Sequence, residues 1–329
     1  MNILITGGAG FIGSHLAEAC LQRGWDVSII DDLSTGCMSN IAHLKKSPGF
    51  SYTIESVFNC QAVAELVDYA DVIFHLAAAV GVRLIVDSPV RTIETNVHGT
   101  EVVLRAAAKK RKRIVVASTS EVYGKTVAVP FREDGDLALG PTTKGRWSYA
   151  CSKALDEFLA LAYHHERHVP ATIVRLFNTV GPRQSRLYGM VLPTFVRQAL
   201  DGEPITVYGN GRQSRCFGYV GDVVDILIRI AIREDVAGEI FNVGNDHEIA
   251  IDALARMVKE RARSSSSIVY VPYDQVYGPG FEDMYRRVPS LEKLERVIGI
   301  RPTTPVETAI DDLIAFAKAE PGQSSRAAA

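Results

Sequence analysis

Uninterrupted apolar runs alternate with amphipathic stretches along the first half of the chain. NILIT, DVSIID, DVIFHLAA, RIVVAST and ATIVRLF read as strands. Between them SHLAEACLQRG, closed by Gly24, and the stretches 91–110 and 149–167 carry helical periodicity. A strand that is apolar throughout is buried on both faces, and strand–helix alternation makes the sheet parallel. Right-handed crossovers then predict an α/β fold, a doubly wound parallel sheet.

After Asn178 the pattern loosens into turns, one helix and the short strand ITVYG. YVGDVVDILIRIAI predicts a further helix, GEIFNVGN a strand rejoining the main sheet, and the chain from 246 onwards two more helices and a loop rich in Tyr, Arg and Pro. The expected organisation is a first domain over 1–177, rejoined by 217–245. A smaller discontinuous lobe comes from 178–216 and 246–318, with a disordered tail over 319–329. SSSS at 264–267 is the one low-complexity stretch, and no internal repeat stands out.

Composition narrows the function class. A net charge of −2 over 329 residues offers no basic field for nucleic acid or an anionic membrane. The run KKRKR at 109–113 reads as a solvated helix end. Five scattered cysteines, with no CxxC spacing, suggest reduced thiols in a cytoplasmic protein rather than disulfides or a metal site. A strand that starts at once leaves no room for a leader, and no apolar run approaches the ~20 residues needed to span a bilayer.

The chemistry begins at Gly7-x-x-Gly10-x-x-Gly13, placed directly between a strand and a helix. Glycines let the backbone approach a pyrophosphate whose charge meets the helix N-terminus, the phosphate grip of a Rossmann domain. Asp31 ends the second strand, where its carboxylate accepts both ribose hydroxyls and repels a 2′-phosphate; this favours NAD over NADP. Asp32 either shares that role or caps a helix. Phe11, Ile12, Leu76 and Ala77 complete the expected cofactor contacts. His75, with no second ligand beside it, reads as a core or cofactor-adjacent residue.

WSYACSK places Tyr149 and Lys153 four apart near the start of a helix, ~5–6 Å between Cβ atoms. An ammonium there would lower a phenol from its usual ~10, making a base for a sugar hydroxyl. Lys153 is also a cofactor contact. Upstream, RIVVAST runs into Ser118, Thr119, Ser120 and Glu121, three hydroxyls and a carboxylate where a buried strand ends.

Together TGGAGFIG, STSEVYG, YACSK, RLFNTVGPR and TVYGNG resemble an extended short-chain dehydrogenase/reductase acting on nucleotide sugars, from Met1 to about Ala317. The resemblance implies a bound NAD that oxidises the sugar at C4 and is then reoxidised by returning hydride. It also implies that Thr119 holds the sugar O4 and shares its proton with Tyr149. Ser120 stands where 4,6-dehydratases of the deoxythymidine-linked kind carry an acidic Asp. TSEVYG is similar to UDP-glucuronate decarboxylases, in which a C4 ketone makes the sugar a β-keto acid able to lose its C6 carboxylate. Glu121 would position the ring or relay a proton, or else cap nearby amides. YRRVPS at 285–290 is similar to the decarboxylases' Arg-x-Pro segment and places Arg287 at the diphosphate and reacting centre, with neighbouring Arg286 read as structural.

Two departures lean toward 4-epimerases of UDP-glucose or UDP-glucuronate: Ile85 where a Tyr is usual, and Arg83 in AAVGVR, a candidate for the sugar carboxylate. Ser56 replaces an Asp that many relatives turn toward adenine. A GDP-mannose-type 4,6-dehydratase, which also shows a TSE triplet, is a third reading. On the nucleotide side the resemblance offers Asn178 and Arg215 for the diphosphate, and Leu192, Pro193, Val207, Tyr208 and Phe217 for the base. Val102, Leu159 and Tyr163, on helices that pair in related enzymes, point to a homodimer or to packing within one subunit.

Overall fold

The computed structural model describes residues 1–186, 189–278 and 282–319, apart from the side chains of 82, 83 and 86. In chain order the elements are β1 (Asn2–Thr6), α1 (Phe11–Gln22), β2 (Asp26–Asp31), β3 (Phe50–Ile54), α2 (Cys60–Tyr69), β4 (Val72–His75), α3 (Val82–Asp87), α4 (Pro89–Lys110) and β5 (Arg113–Thr119). Then come α5 (Ser148–Arg167), β6 (Ala171–Leu176), β7 (Thr179–Val180), α6 (Val191–Asp201), β8 (Ile205–Tyr208), β9 (Ser214–Cys216), β10 (Gly218–Tyr219), α7 (Val220–Ala231) and β11 (Ile240–Val243). The chain closes with β12 (Glu248–Ala250), α8 (Ile251–Arg261), β13 (Ile268–Val271), α9 (Tyr273–Tyr277), α10 (Glu292–Ile298) and α11 (Val306–Ala319).

Seven parallel strands form the central sheet in the order β11-β6-β5-β4-β1-β2-β3. Successive residues of one strand serve opposite faces. Ile3 and Ile5 join the core under α1 and α7, whereas Leu4 joins the one under α2, α4 and α5. This is why those strands are apolar at every position. The chain leaves β1 for β2 on one side and reaches β4 on the other, so a crevice opens at the carboxyl ends of β1 and β4. As expected from GEIFNVGN, β11 lies beside β6.

The later segments build their own core from α6, α8, α11 and β8, around Leu192, Phe195, Leu254 and Ile310. Where the pattern predicts two helices after 246, four form among the described residues; α9 and α10 have five and seven residues, under two turns, too short to show a period. Of the expected tail, Ala319 closes α11 and the rest lies outside the described residues. A fourth cluster, with Tyr123, Phe131, Trp147, Phe177 and Met284, underlies the reacting end of β5. There the excursion after β5 is bound to the C-terminal loop by its backbone: Phe131 N donates to Val288 O and Ser290 N to Phe131 O, both at 2.7 Å.

Candidate active site

A cleft of about 460 Å³ follows the carboxyl ends of the strands, from the loop after β1 to the face of β8. At its first end the three glycines differ in purpose. Gly7 adopts φ +73°, and a Cβ on Gly13 would stand 2.2 Å from Gly7 O, so the turn closes only without side chains. Gly10 meets only Gly7 O and otherwise faces open space. Asp31 Oδ2 accepts Ala9 N at 2.9 Å and Oδ1 accepts Leu33 N at 2.8 Å, fixing the carboxylate at the cleft wall with lone pairs to spare. Burial, before any other influence, pushes its pKa upward. Asp32 Oδ1 instead accepts Ser34 N, an Asx turn at the rim. Phe11, Ile12, Leu76, Ala77 and Ser56 line the same end, which fits a dinucleotide.

His75 lies below, between Thr6 at 2.8 Å and Thr100 at 3.1 Å, and burial lowers its pKa to about 3. It is a neutral core residue.

The reacting end explains the crowded hydroxyls. β5 finishes at Thr119, whose Oγ1 accepts Glu121 N at 3.2 Å and caps the single 3-10 turn Ser120–Tyr123. Thr119 and Tyr149 both line the cleft, and Thr119 acts to lower the phenol's pKa. Ser118, on the opposite pleat, points away and donates to Glu157. Ser120 is buried on the cleft wall, where a hydroxyl stands in place of a carboxylic acid.

Lys153 departs from expectation. Its Nζ donates to Asp156 Oδ2 at 2.7 Å, so its charge is balanced within α5. The Tyr149 phenol is pushed well above its usual range, first by burial and then by Glu121, while Thr119 and Arg146 oppose the rise. By itself the chain holds this tyrosine protonated; a cation has to be added at the ring before the phenolate is favoured.

Glu121 sits between two guanidinium groups. Arg146 Nη1 donates to Oε2 and Arg287 Nη1 to Oε1 at 3.4 Å. Burial raises its pKa, but Arg146 and then Arg287 outweigh burial and hold the carboxyl at about 2. Arg287 reaches Asp283 at 3.5 Å, and Asp283 in turn pairs with Arg215 at 2.8 Å. Burial and the neighbouring Arg287 lower the Arg215 pKa to about 10. Arg286 faces outward against Glu248.

On the nucleotide side Asn178, Leu192, Pro193, Tyr208, Arg215 and Phe217 all line the cleft. Val207 does not: β8 alternates, so Thr206 and Tyr208 face the cleft while Val207 packs in the adjoining core. Ile85 is buried away from the cleft, and the side chain of Arg83 lies outside the described residues. Val102, Leu159 and Tyr163 pack against the sheet's own core. Sequence reasoning missed Arg146 and Asp283. Arg146 stands three residues before Tyr149, in a stretch that reads as loop.

The family profile described as GDP-mannose 4,6 dehydratase matches residues 4–313. The chain belongs to this family. Within it, the chain is 43% identical over 312 residues to a UDP-N-acetyl-alpha-D-glucosaminuronate decarboxylase of Bacillus cytotoxicus, covering 94% of this chain and 96% of the relative. It is 34% identical to UDP-glucuronic acid decarboxylase 1 of Xenopus tropicalis, over 97% of this chain and 72% of the relative. The structure of a UDP-glucuronic acid 4-epimerase from Bacillus cereus, solved with UDP-glucuronic acid and NAD, superposes with a TM-score of 0.88 at 26% identity, covering 97% of this chain and 99% of that one. This dehydratase-family member is an enzyme, and its cofactor is NAD.

Proposed function

We propose that the chain decarboxylates a UDP-linked hexuronate, converting UDP-glucuronate to UDP-xylose through a 4-keto sugar. The observation that carries this reading is the buried Arg287–Glu121 pair beside Thr119 and Tyr149, together with Ser120 where a dehydratase would need an acid. Thr119 and Tyr149 would hold the sugar O4, and Tyr149 would take its proton. NAD, which the Gly7–Gly13 turn and Asp31 would hold, would supply a reversible hydride acceptor for C4 and the positive charge that favours the Tyr149 phenolate. With C4 a ketone, the C5–C6 bonding electrons flow to O4 as CO2 leaves. The same two hydroxyl groups donate to the resulting enolate oxygen. A proton then adds at C5. Glu121, held ionised, serves as an acceptor that positions the ring rather than as an acid, and Arg287 is the guanidinium for the substrate's carboxylate. Asn178 and Arg215 would hold the diphosphate, with Tyr208 and Phe217 beside the base.

The 43% relative favours a second reading that differs only at C2, with an acetamido group on the same hexuronate. The enzyme would act as a cytosolic homodimer. Five free cysteines support the compartment. Val90, Ile93, Leu155 and Phe158, apolar and exposed along the packed pair α4 and α5, support the seam.

Incubation with UDP-glucuronate and with its 2-acetamido counterpart, followed by mass spectrometry, tests the proposal. Loss of one CO2 from either upholds it and identifies the sugar. An axial C4 isomer of unchanged mass, or loss of water from a GDP-sugar, would replace it with epimerisation or dehydration.

A further inference from the structure

Five charged groups meet behind the reacting hydroxyls: Arg146, Arg287 and Arg215 against Glu121 and Asp283. Three cations and two anions leave one positive charge, on the side where the proposed substrate is anionic. The three guanidinium groups are held differently. Arg287 makes long contacts, 3.4 and 3.5 Å, and its Nε has no hydrogen-bond partner among the described residues, so it is free to turn toward a ligand. Arg215 is tied to Ser214 O, Tyr285 O and Asp283. Arg146 is not among the cleft-lining residues, is 4% exposed, and makes its one side-chain hydrogen bond, among the described residues, to Glu121. Its guanidinium carbon lies over the Trp147 ring, 5.8 Å from the centroid.

A buried cation attached to one carboxylate oxygen and out of reach of the cleft has no ligand of its own. Its effect must pass through its partner. We propose that Arg146 is a positioning residue for C4 oxidation: it grips Glu121 by the oxygen that Arg287 leaves, and cancels that carboxylate's charge beside Tyr149, so that the phenol can give up its proton. Glu121 then stays in place as an acceptor for the sugar without opposing Tyr149 in the same cleft.

The signs agree with this. Glu121 is the second cause, after burial, of the raised Tyr149 phenol, and Arg146 acts on it in the opposite direction. The other groups facing this phenol are Thr119 from β5 and Asp156 from its own helix, whose charge Lys153 balances. Behind Glu121 stand Arg287 and Arg215.

The inference takes only its substrate from the proposed decarboxylation, and its test reads a step shared by decarboxylase, epimerase and dehydratase alike. NADH formation is followed by stopped flow in a single turnover of the NAD-loaded enzyme with UDP-glucuronate, across the pH range. For Arg146→Gln we expect NADH formation to slow by at least ~tenfold, about 1.4 kcal/mol of barrier. The limb on which the rate rises with pH should move to higher pH. Glu121→Gln should move the same limb to lower pH, and the double variant should form NADH faster than Arg146→Gln alone. Arg146→Lys, which keeps the charge, should stay within ~tenfold of wild type.

An unmoved limb in Arg146→Gln, or a double variant no faster than that single one, would overturn the proposal. Should Arg146→Gln fail to fold by thermal unfolding, Arg146→Lys decides: a folded Lys variant slower by more than ~tenfold shows that charge is not what matters. A wild type that forms NADH but releases no CO2 sinks decarboxylation and leaves the assignment of Arg146 standing.

Discussion

Tyr149 must lose its proton in a site that resists the loss. Burial and Glu121 both favour the phenol, and the ammonium four residues on is occupied by Asp156. The tyrosine is therefore a base only in company, which confines proton removal to the loaded enzyme. Tyr149→Phe should slow NADH formation by ~10²–10⁴-fold while NAD binding, read by fluorescence quenching, stays near wild type. Glu121 makes a stability prediction with a definite sign. Its folded carboxyl sits at about 2, below the ordinary 4.5, so its contribution is complete above that ordinary value and is lost as pH falls toward the folded one. Thermal unfolding followed on acidification should show a steeper fall in Tm for wild type than for Glu121→Gln. Thr119, Glu121, Tyr149 and Lys153 were legible because fixed spacings on a strand end and a helix bring them together. Arg146 was not, since its partner is 25 residues away and only the folded turn joins them.

At the level of elements, α5 is tied to the sheet by a buried ion pair. Arg175 on β6 meets Glu157 on α5 at 2.8 Å, and the same carboxylate takes a hydrogen bond from Ser118 at the end of β5. Arg175 continues to Tyr123 at 2.9 Å, and Tyr123 to Asn242 on β11 at 2.8 Å. Thus the helix that carries Tyr149 and Lys153 is registered against three strands. Glu157→Gln leaves a buried guanidinium short of its counter-charge and should cost about 3–5 kcal/mol in urea unfolding. The central strands were legible because burial on both faces makes them apolar throughout. β3 escaped notice: it is the edge strand, with Ser51, Tyr52 and Ile54 exposed, so its five residues carry no clear pattern. α2, between this strand and the recognised β4, was missed as well.

For the whole molecule, the exposed apolar stripe on α4 and α5 asks for a cover. Phe158 is 68% exposed and Leu155 49%, one turn apart on α5. Val90 and Ile93 stand exposed on α4. Phe158→Asp combined with Leu155→Asp should halve the mass measured by light scattering and leave the far-UV circular dichroism unchanged. Helical period alone does not say which apolar side of α4 and α5 faces the sheet. Val102, Leu159 and Tyr163 took that side.

The pairing of Phe131 with Val288 and Ser290 has a consequence for anyone who recombines such enzymes. Arg287 is anchored by backbone to the very excursion that leaves the catalytic strand, so the two are a single inheritable part, though about 150 residues separate them in the chain. A chimera that borrows a new C-terminus from a cousin while keeping 124–145 would pull the guanidinium off its mark and lose turnover even with every recognised motif intact. Crossovers ought to carry both segments, or neither.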